Sequence, residues 1–212
     1  MPNGFEPLSK PFSLYDRLTI HLFYLIRSWN YDLPENKVGW RTRQNQELRF
    51  RTLSGIGDLQ NKKILDLGCG LGCFYGFLKD RGWQGEYTGI DILDMMVQAA
   101  RKRFPDARFE KRDILRRPPS EKWDYVFVNG VFNHKVKDNW AWIDQMVRQS
   151  LESAREGMAF SLLNLEVGWL DSDLFYAHPR ELEERARQWS GGKYKLFKGY
   201  LPEDMTVYLY KK

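Results

Sequence analysis

The chain has 212 residues, 42% of them apolar, with a formal net charge of +5 and only two cysteines, Cys69 and Cys73. That length buries one substantial core, and no Pro/Gly/Ser-rich linker, low-complexity tract or internal repeat divides it. Two cysteines exclude a disulfide framework and supply too few ligands for a structural zinc site, so no metal is expected.

The predicted elements run as follows. Residues 12–32 carry Leu14, Leu18, Leu22, Leu25 or Ile26, and Trp29 at helical spacing, with Pro34 as the stop and His21 expected in the core. The apolar run Leu18–Ile26 is bracketed by Arg17 and Arg27. It is too short to cross a bilayer and lacks a small-residue cleavage site, so a cytoplasmic protein is expected. A second helical pattern covers about 43–53. Strand and helix patterns then alternate: a strand near 62–68, a helix near 72–81, a strand at 86–91 and a helix opened by Asp94 as N-cap and stopped before Pro105. Strands follow near 107–113 and 123–129, then a helix near 138–155, a strand over Met158–Leu163 and a helix from Pro179. Lys193–Tyr200 and Met205–Tyr210 both alternate, and the short link between them cannot hold a crossover helix, which predicts an antiparallel hairpin.

The most informative stretch is Ile64-Leu65-Asp66-Leu67-Gly68-Cys69-Gly70-Leu71-Gly72. It reads as a buried strand that turns through close-set glycines into a helix, where the backbone can approach a ligand and the helix start offers free N–H groups. Asp91 ends the next strand, 21 residues after Gly70, which suits the two hydroxyls of a ribose. Asp66 beside the turn would repel a pyrophosphate and suits a cationic amine.

The stretch resembles motif I of the class I S-adenosylmethionine-dependent methyltransferases, D/E-x-G-x-G-x-G. The likeness continues through Asp91, through Asp113 after Phe109-Glu110-Lys111-Arg112, and through the strand Trp123–Val128 with Asn129-Gly130. A nicotinamide-dependent enzyme is the alternative for the fold. The C-terminal hairpin separates the two, because it departs from an all-parallel dinucleotide fold. The resemblance implies an α/β, three-layer Rossmann-like sandwich. Its seven-stranded, mostly parallel sheet would have order 3-2-1-4-5-7-6, with the last strand antiparallel. Residues 1–58 would form an N-terminal helical lid on a core of residues 59–212.

The resemblance also implies roles. Asp66, Gly68, Cys69 and Gly70 would hold the methionine end of S-adenosylmethionine (S-adenosylhomocysteine as product). Asp91 would accept from the ribose and Ile92 would pack on the adenine. Asp113 would accept from the adenine amine, with the Ile114 N–H on a ring nitrogen. Asn129 to His134 would occupy the mouth where cofactor and acceptor meet, and this stretch lacks the Asn/Asp-Pro-Pro-Tyr/Phe pattern of enzymes that methylate adenine bases or glutamine amides. His134 is the candidate base, against the plain reading of a loop histidine beside Lys135; His178 is a weaker one.

Val38–Phe50 looks like a G-W-x-x-x-x-x-Q-x-x-R-F pattern of a bacterial subgroup of these enzymes. It nominates Trp40, Gln46 and Arg49 for the acceptor pocket, while Trp40 and Phe50 could equally pack the helix onto the sheet. Phe132, and Trp169 and Tyr176 on the connection after the fifth strand, are further acceptor candidates. The expected activity is methyl transfer to an oxygen or nitrogen of a small molecule. The alternatives are an RNA- or protein-modifying methyltransferase and a non-catalytic S-adenosylmethionine-binding module. The short basic clusters Arg101-Lys102-Arg103, Lys111-Arg112 and Arg116-Arg117 are interleaved with acids and favour a solvated surface over a nucleic-acid site.

Overall fold

The computed structural model describes residues 13–30 and 42–211. In chain order these form α1 (Leu14–Asn30), α2 (Arg43–Ser54), β1 (Lys63–Leu67), α3 (Cys73–Lys79), β2 (Glu86–Asp91), α4 (Asp94–Arg103), β3 (Arg108–Lys111) and β4 (Trp123–Val128). A 3-10 turn at Val131–Asn133 follows, then α5 (Asn139–Ser153), β5 (Ala154–Asn164), β6 (Tyr176–Ala177), α6 (Pro179–Ser190), β7 (Tyr194–Lys198) and β8 (Asp204–Tyr210).

The sheet has the order β3-β2-β1-β4-β5-β8-β7, with β6 paired to β5 off this path. Strands β1 to β5 are parallel, and β8 runs antiparallel to both β5 and β7. The seven expected strands and their order are present. The eighth, β6, is two residues long and pairs in parallel with the end of β5; a strand that short leaves no periodicity to read. β5 starts at Ala154, directly off α5, and not at Met158. Its first turns carry Arg155 and Glu156, which pair with Asp124 and with Lys62 and Tyr125 at the sheet's end. Those charges hid the strand's beginning.

Period-2 alternation splits the strands' side chains between two cores. Ile64, Tyr125, Phe127, Ala159 and Tyr208 join one with Phe50 and Leu53 of α2, Phe74 and Phe77 of α3, and Val97 of α4. Leu65, Val126, Val128, Phe160 and Val207 join the other with Ile143 and Val147 of α5 and Leu182 of α6. The result is a helix–sheet–helix sandwich, and strands covered on both faces read as near-continuous apolar runs.

Caps set several helix starts. Thr42 Oγ1 accepts from the Asn45 N–H at 3.2 Å and Asp138 from the Ala141 N–H at 3.0 Å. His178 does the same for α6, its Nδ1 accepting from the Arg180 N–H at 3.2 Å. The histidine is exposed and serves as a cap, away from the chemistry. Asp94 is the first helical residue and not the N-cap; that place falls to Leu93, whose N–H is taken by Asp91 at 2.9 Å.

Helix α1 departs most from expectation. Leu18, Leu22 and Ile26 are each 54% exposed, and His21 is exposed too, so the predicted apolar stripe faces outward. Among its described side chains, those buried are Asp16 and Ile20. The reason is local: α1 lies over a cavity and meets the core through Ile20 and Tyr24, while its inward face carries groups that line the cavity. The side chains of Leu14 and Trp29 lie outside the described residues.

Phe160 is fully buried and meets Phe132 and Trp189 edge-on at 5.6 and 6.0 Å. Phe160→Ala is therefore expected to cost about 3–5 kcal/mol of stability in urea unfolding, whereas Leu22→Ala on the outward face of α1 should stay within about 0.5 kcal/mol.

Candidate active site

The turn after β1 is built on left-handed glycines: φ is +73° at Gly68, +52° at Gly70 and +71° at Gly72. A Cβ at Gly68 would lie 2.1 Å from Val131 Cγ2 in a conformation that L residues rarely adopt, so both space and backbone require glycine there. The turn is tied to β2, with the Gly68 and Cys69 N–H groups donating to Ile90 O at 2.7 and 3.2 Å. Asp91 at the end of β2 closes it: one oxygen accepts from the Gly70 N–H at 3.0 Å, the other from the Leu93 N–H at 2.9 Å. Burial raises the Asp91 carboxyl above its ordinary range, and the N–H donors oppose that.

Asp66 lies deeper and accepts from the Tyr87 hydroxyl at 2.5 Å. Burial pushes its carboxyl up to about 7, with the Tyr87 bond opposing and the nearby Asp91 charge adding. No cation of the described residues compensates it. At the third strand, Asp113 accepts from the Leu115 N–H at 3.0 Å and forms an ion pair with Arg17 of α1.

All three acids line one cavity of about 250 Å³ at the carboxyl ends of the strands. One end has the glycine turn, Asp66 and Asp91; between Asp91 and Asp113 the walls are apolar, with Ile92, Leu93, Met96 and Ile114. The other walls come from Phe23 and Tyr24 of α1, Gln46 and Arg49 of α2, and the stretch after β4.

After β4, Ser161 Oγ donates to Asn129 Oδ1 at 3.1 Å and accepts from the Gly130 N–H at 3.1 Å, which fixes the start of that stretch on β5. His134 lines the cavity, and its carbonyl accepts from Asn139 Nδ2 at 2.7 Å. Its ring sits edge-on to Phe23 and Tyr24 at 5.1 and 5.3 Å, with Nε2 2.9 Å from the Tyr24 hydroxyl. Burial alone pulls its pKa down to about 4, so the ring is neutral at pH 7.

Of the expected acceptor-side residues, Gln46 and Arg49 are buried and line the cavity, Tyr176 joins them half-buried, and Trp169 stands half exposed on its rim. Arg49 is held by Asp204 of β8 through a paired contact, Nε to Oδ2 at 2.6 Å and Nη2 to Oδ1. Phe132 takes a different place: it is fully buried between Trp142 and Phe160, because the 3-10 turn points it into the core while its neighbours Val131 and Asn133 face the cavity. Trp40 lies outside the described residues. Cys69 is buried at the turn, and Cys73 accepts from Arg103 at 3.3 Å; neither is in a disulfide.

Sequence reasoning passed over Tyr24, Arg17, Asp204 and Glu203. Asp204 was the readable one, since an acid opening a strand whose remaining members are buried demands a cationic partner. Tyr24 carried no signal beyond its place in an apolar helix. Of the basic clusters, Arg101 donates to Phe109 O, Arg112 pairs with Glu110 and Arg116 lies 3.8 Å from Asp113. Among the described residues no cluster of histidine, cysteine and acidic groups could hold a metal ion, and no helix is long and apolar enough to cross a membrane.

Comparison with known proteins points one way. The methyltransferase domain family model matches residues 64–153. A Mycobacterium tuberculosis protein named "Putative methyltransferase Rv1506c" is 30% identical over 154 residues, 70% of this chain and 92% of that protein. Trans-aconitate 2-methyltransferase of Agrobacterium fabrum is 40% identical over 88 residues, 42% of this chain, and the chain spans about a third of that enzyme (34%). Among solved structures, magnesium protoporphyrin IX methyltransferase of Synechocystis PCC 6803 with bound S-adenosylmethionine superposes with a TM-score of 0.69 at 13% identity, over 94% of this chain and 99% of that one.

Asp66 and His134 make opposite contributions to stability on acidification. The raised Asp66 takes up a proton in the folded state first, so its contribution is lost as pH climbs from about 4 through about 7. The lowered His134 stays neutral while the unfolded ring protonates, so its contribution is lost as pH falls from about 6.5 through about 4. Thermal unfolding of the ligand-free protein between pH 7.5 and 5 should show stability rising toward acid in His134→Gln and falling in Asp66→Asn, with the wild type between them.

Proposed function

The chain belongs to the class I S-adenosylmethionine-dependent methyltransferases, and from that membership we propose that it methylates an oxygen or nitrogen of a small-molecule acceptor seated under α1. The observation that carries this reading is the enclosure of the cavity's acceptor end by α1, α2 and the connection after β5, with Tyr24, Gln46, Arg49 and His134 on its walls. The acceptor end is a recess walled by these side chains, which suits a small molecule. Two relatives have small-molecule acceptors in their names, trans-aconitate and magnesium protoporphyrin IX, which supports the same class here. An RNA- or protein-modifying role has less support, because several of the basic side chains that would serve it are engaged within the protein.

The site fits the cofactor. Asp66 is a buried acid without a cation, which the ammonium of the methionine moiety supplies, and the left-handed turn of Gly68, Cys69 and Gly70 leaves backbone free to approach it. Asp91 keeps lone pairs for the ribose hydroxyls beyond those its two N–H donors occupy. Ile92 and Ile114 would bracket the adenine, and Asp113 would accept from its amine. Asn129 borders the junction between cofactor and acceptor. When bound, S-adenosylmethionine supplies a methyl group on a positively charged sulfur that departs as a neutral thioether.

The protein's own part is alignment, exclusion of water and removal of a proton. Holding the nucleophile in line with the methyl group supplies several kcal/mol of the barrier. Gln46, Arg49, Trp169 and Tyr176 shape the acceptor's seat in this reading, and the helices of residues 1–58 act as a lid on the core of residues 59–212. His134 is neutral at pH 7 and so can take the acceptor's proton as the new bond to carbon forms. Reduced cysteines at 69 and 73 suit a cytoplasmic setting.

Calorimetric titration with S-adenosylmethionine and S-adenosylhomocysteine should show binding of both, weakened at least 100-fold in Asp91→Ala, with NAD as a silent control. Labelled methyl donor and a panel of small carboxylic acids, phenols and amines should then give a methylated product, and His134→Gln should lower its kcat by about 10²–10⁴. Methylation of bulk RNA or protein with no product from the panel would overturn the small-molecule reading.

A further inference from the structure

Three contacts among the described residues tie helix α1 over the site. Arg17 pairs with Asp113, Asp16 Oδ1 accepts from the Lys137 N–H at 3.2 Å, and Tyr24 meets His134. The third is the one that touches the chemistry. His134 is already held at its backbone: Asn139 donates to its carbonyl, and it bridges to Leu174 across the connection after β5. Its ring is held from α1 instead, by the edges of Phe23 and Tyr24 and by the 2.9 Å contact between Nε2 and the Tyr24 hydroxyl. The described residues offer Nδ1 no hydrogen-bond partner, and the ring lines the cavity.

We propose that Tyr24 is the positioning residue for His134: its hydroxyl oxygen accepts from Nε2–H, fixing the tautomer whose free Nδ1 faces the acceptor, so that the base is complete only with α1 seated. The inference rests on the assignment of His134 as base. As the acceptor's O–H or N–H bond breaks, its proton passes to Nδ1. The electron pair left on the acceptor forms the bond to the methyl carbon, and the carbon–sulfur pair stays on sulfur. The imidazolium so formed keeps its Nε2–H on Tyr24, where a charged donor makes the stronger bond. Tyr24 itself neither gains nor loses a proton.

The test needs no acceptor. In long-range ¹H–¹⁵N spectra of the ligand-free protein at pH 7, the ring of His134, identified by its loss in His134→Gln, should show one neutral tautomer, with Nε2 protonated and Nδ1 bare. Tyr24→Phe keeps the aromatic edge and removes only the oxygen, and should convert that signal to a mixture of tautomers while the thermal midpoint stays within a few degrees. A single tautomer unchanged in Tyr24→Phe overturns the proposal and leaves the base assignment standing, whereas a wild-type ring protonated at Nδ1 overturns both. The base assignment fails separately, and takes this proposal with it, if His134→Gln methylates the product found in the acceptor panel at the wild-type rate.

Discussion

The site exists because the chain reverses its direction of travel across the sheet between β1 and β4. From β1 it winds outward through β2 to β3; from β4 it winds the opposite way to β5 and beyond. The connections leaving β1 and β4 therefore part, with α3 on one face and α5 on the other, and a crevice opens at the carboxyl ends of two adjacent strands. Every functional feature follows from that split. Acids placed at the ends of β1 and β2 and just beyond β3 necessarily border the same crevice, and so does whatever follows β4.

A crevice of this kind has a charge problem. Strands covered on both faces carry their terminal acids into a region of low polarity, and Asp66, Asp91 and Asp204 are all buried there. The protein solves each case differently. Asp204 has Arg49 as a close partner, which also joins α2 to the reversed strand β8. Asp91 has two backbone donors from the turn it organises. Asp66 has a phenol and no cation, which leaves it the least satisfied of the three and the one best suited to hold a positively charged group.

The strands, the reversed hairpin and the three acids that line the cavity were legible because each rests on local rules, while the sheet order came with the family resemblance. Period-2 runs mark strands, a five-residue link between β7 and β8 forbids a crossover, and close-set glycines after a strand have few other uses. What escaped was decided by tertiary placement. The spacing of Leu18, Leu22 and Ile26 announced a helix correctly but not which side faces inward, because α1 lies over a cavity and meets the core through Ile20 and Tyr24. Phe132 sits between two cavity-lining neighbours, and only the 3-10 turn determines that it points the other way. His178 and His134 look alike on paper; one precedes a proline at a helix start and becomes a cap, the other meets a tyrosine 110 residues away.

The attachment of α1 through side chains has a consequence for motion. Of its side chains with described burial only Asp16 and Ile20 are buried, and Phe23, Tyr24 and Leu25 are half covered. Its described ties to the rest of the protein run through side chains, so lifting it breaks no backbone ladder between sheet strands. Amide protons of α1 should therefore exchange with solvent through a local opening well before those of β1, β4 and β5, which wait for global unfolding. The fold thus sets hydrogen-bonded strands beneath the cavity and a helix tied by side chains above it.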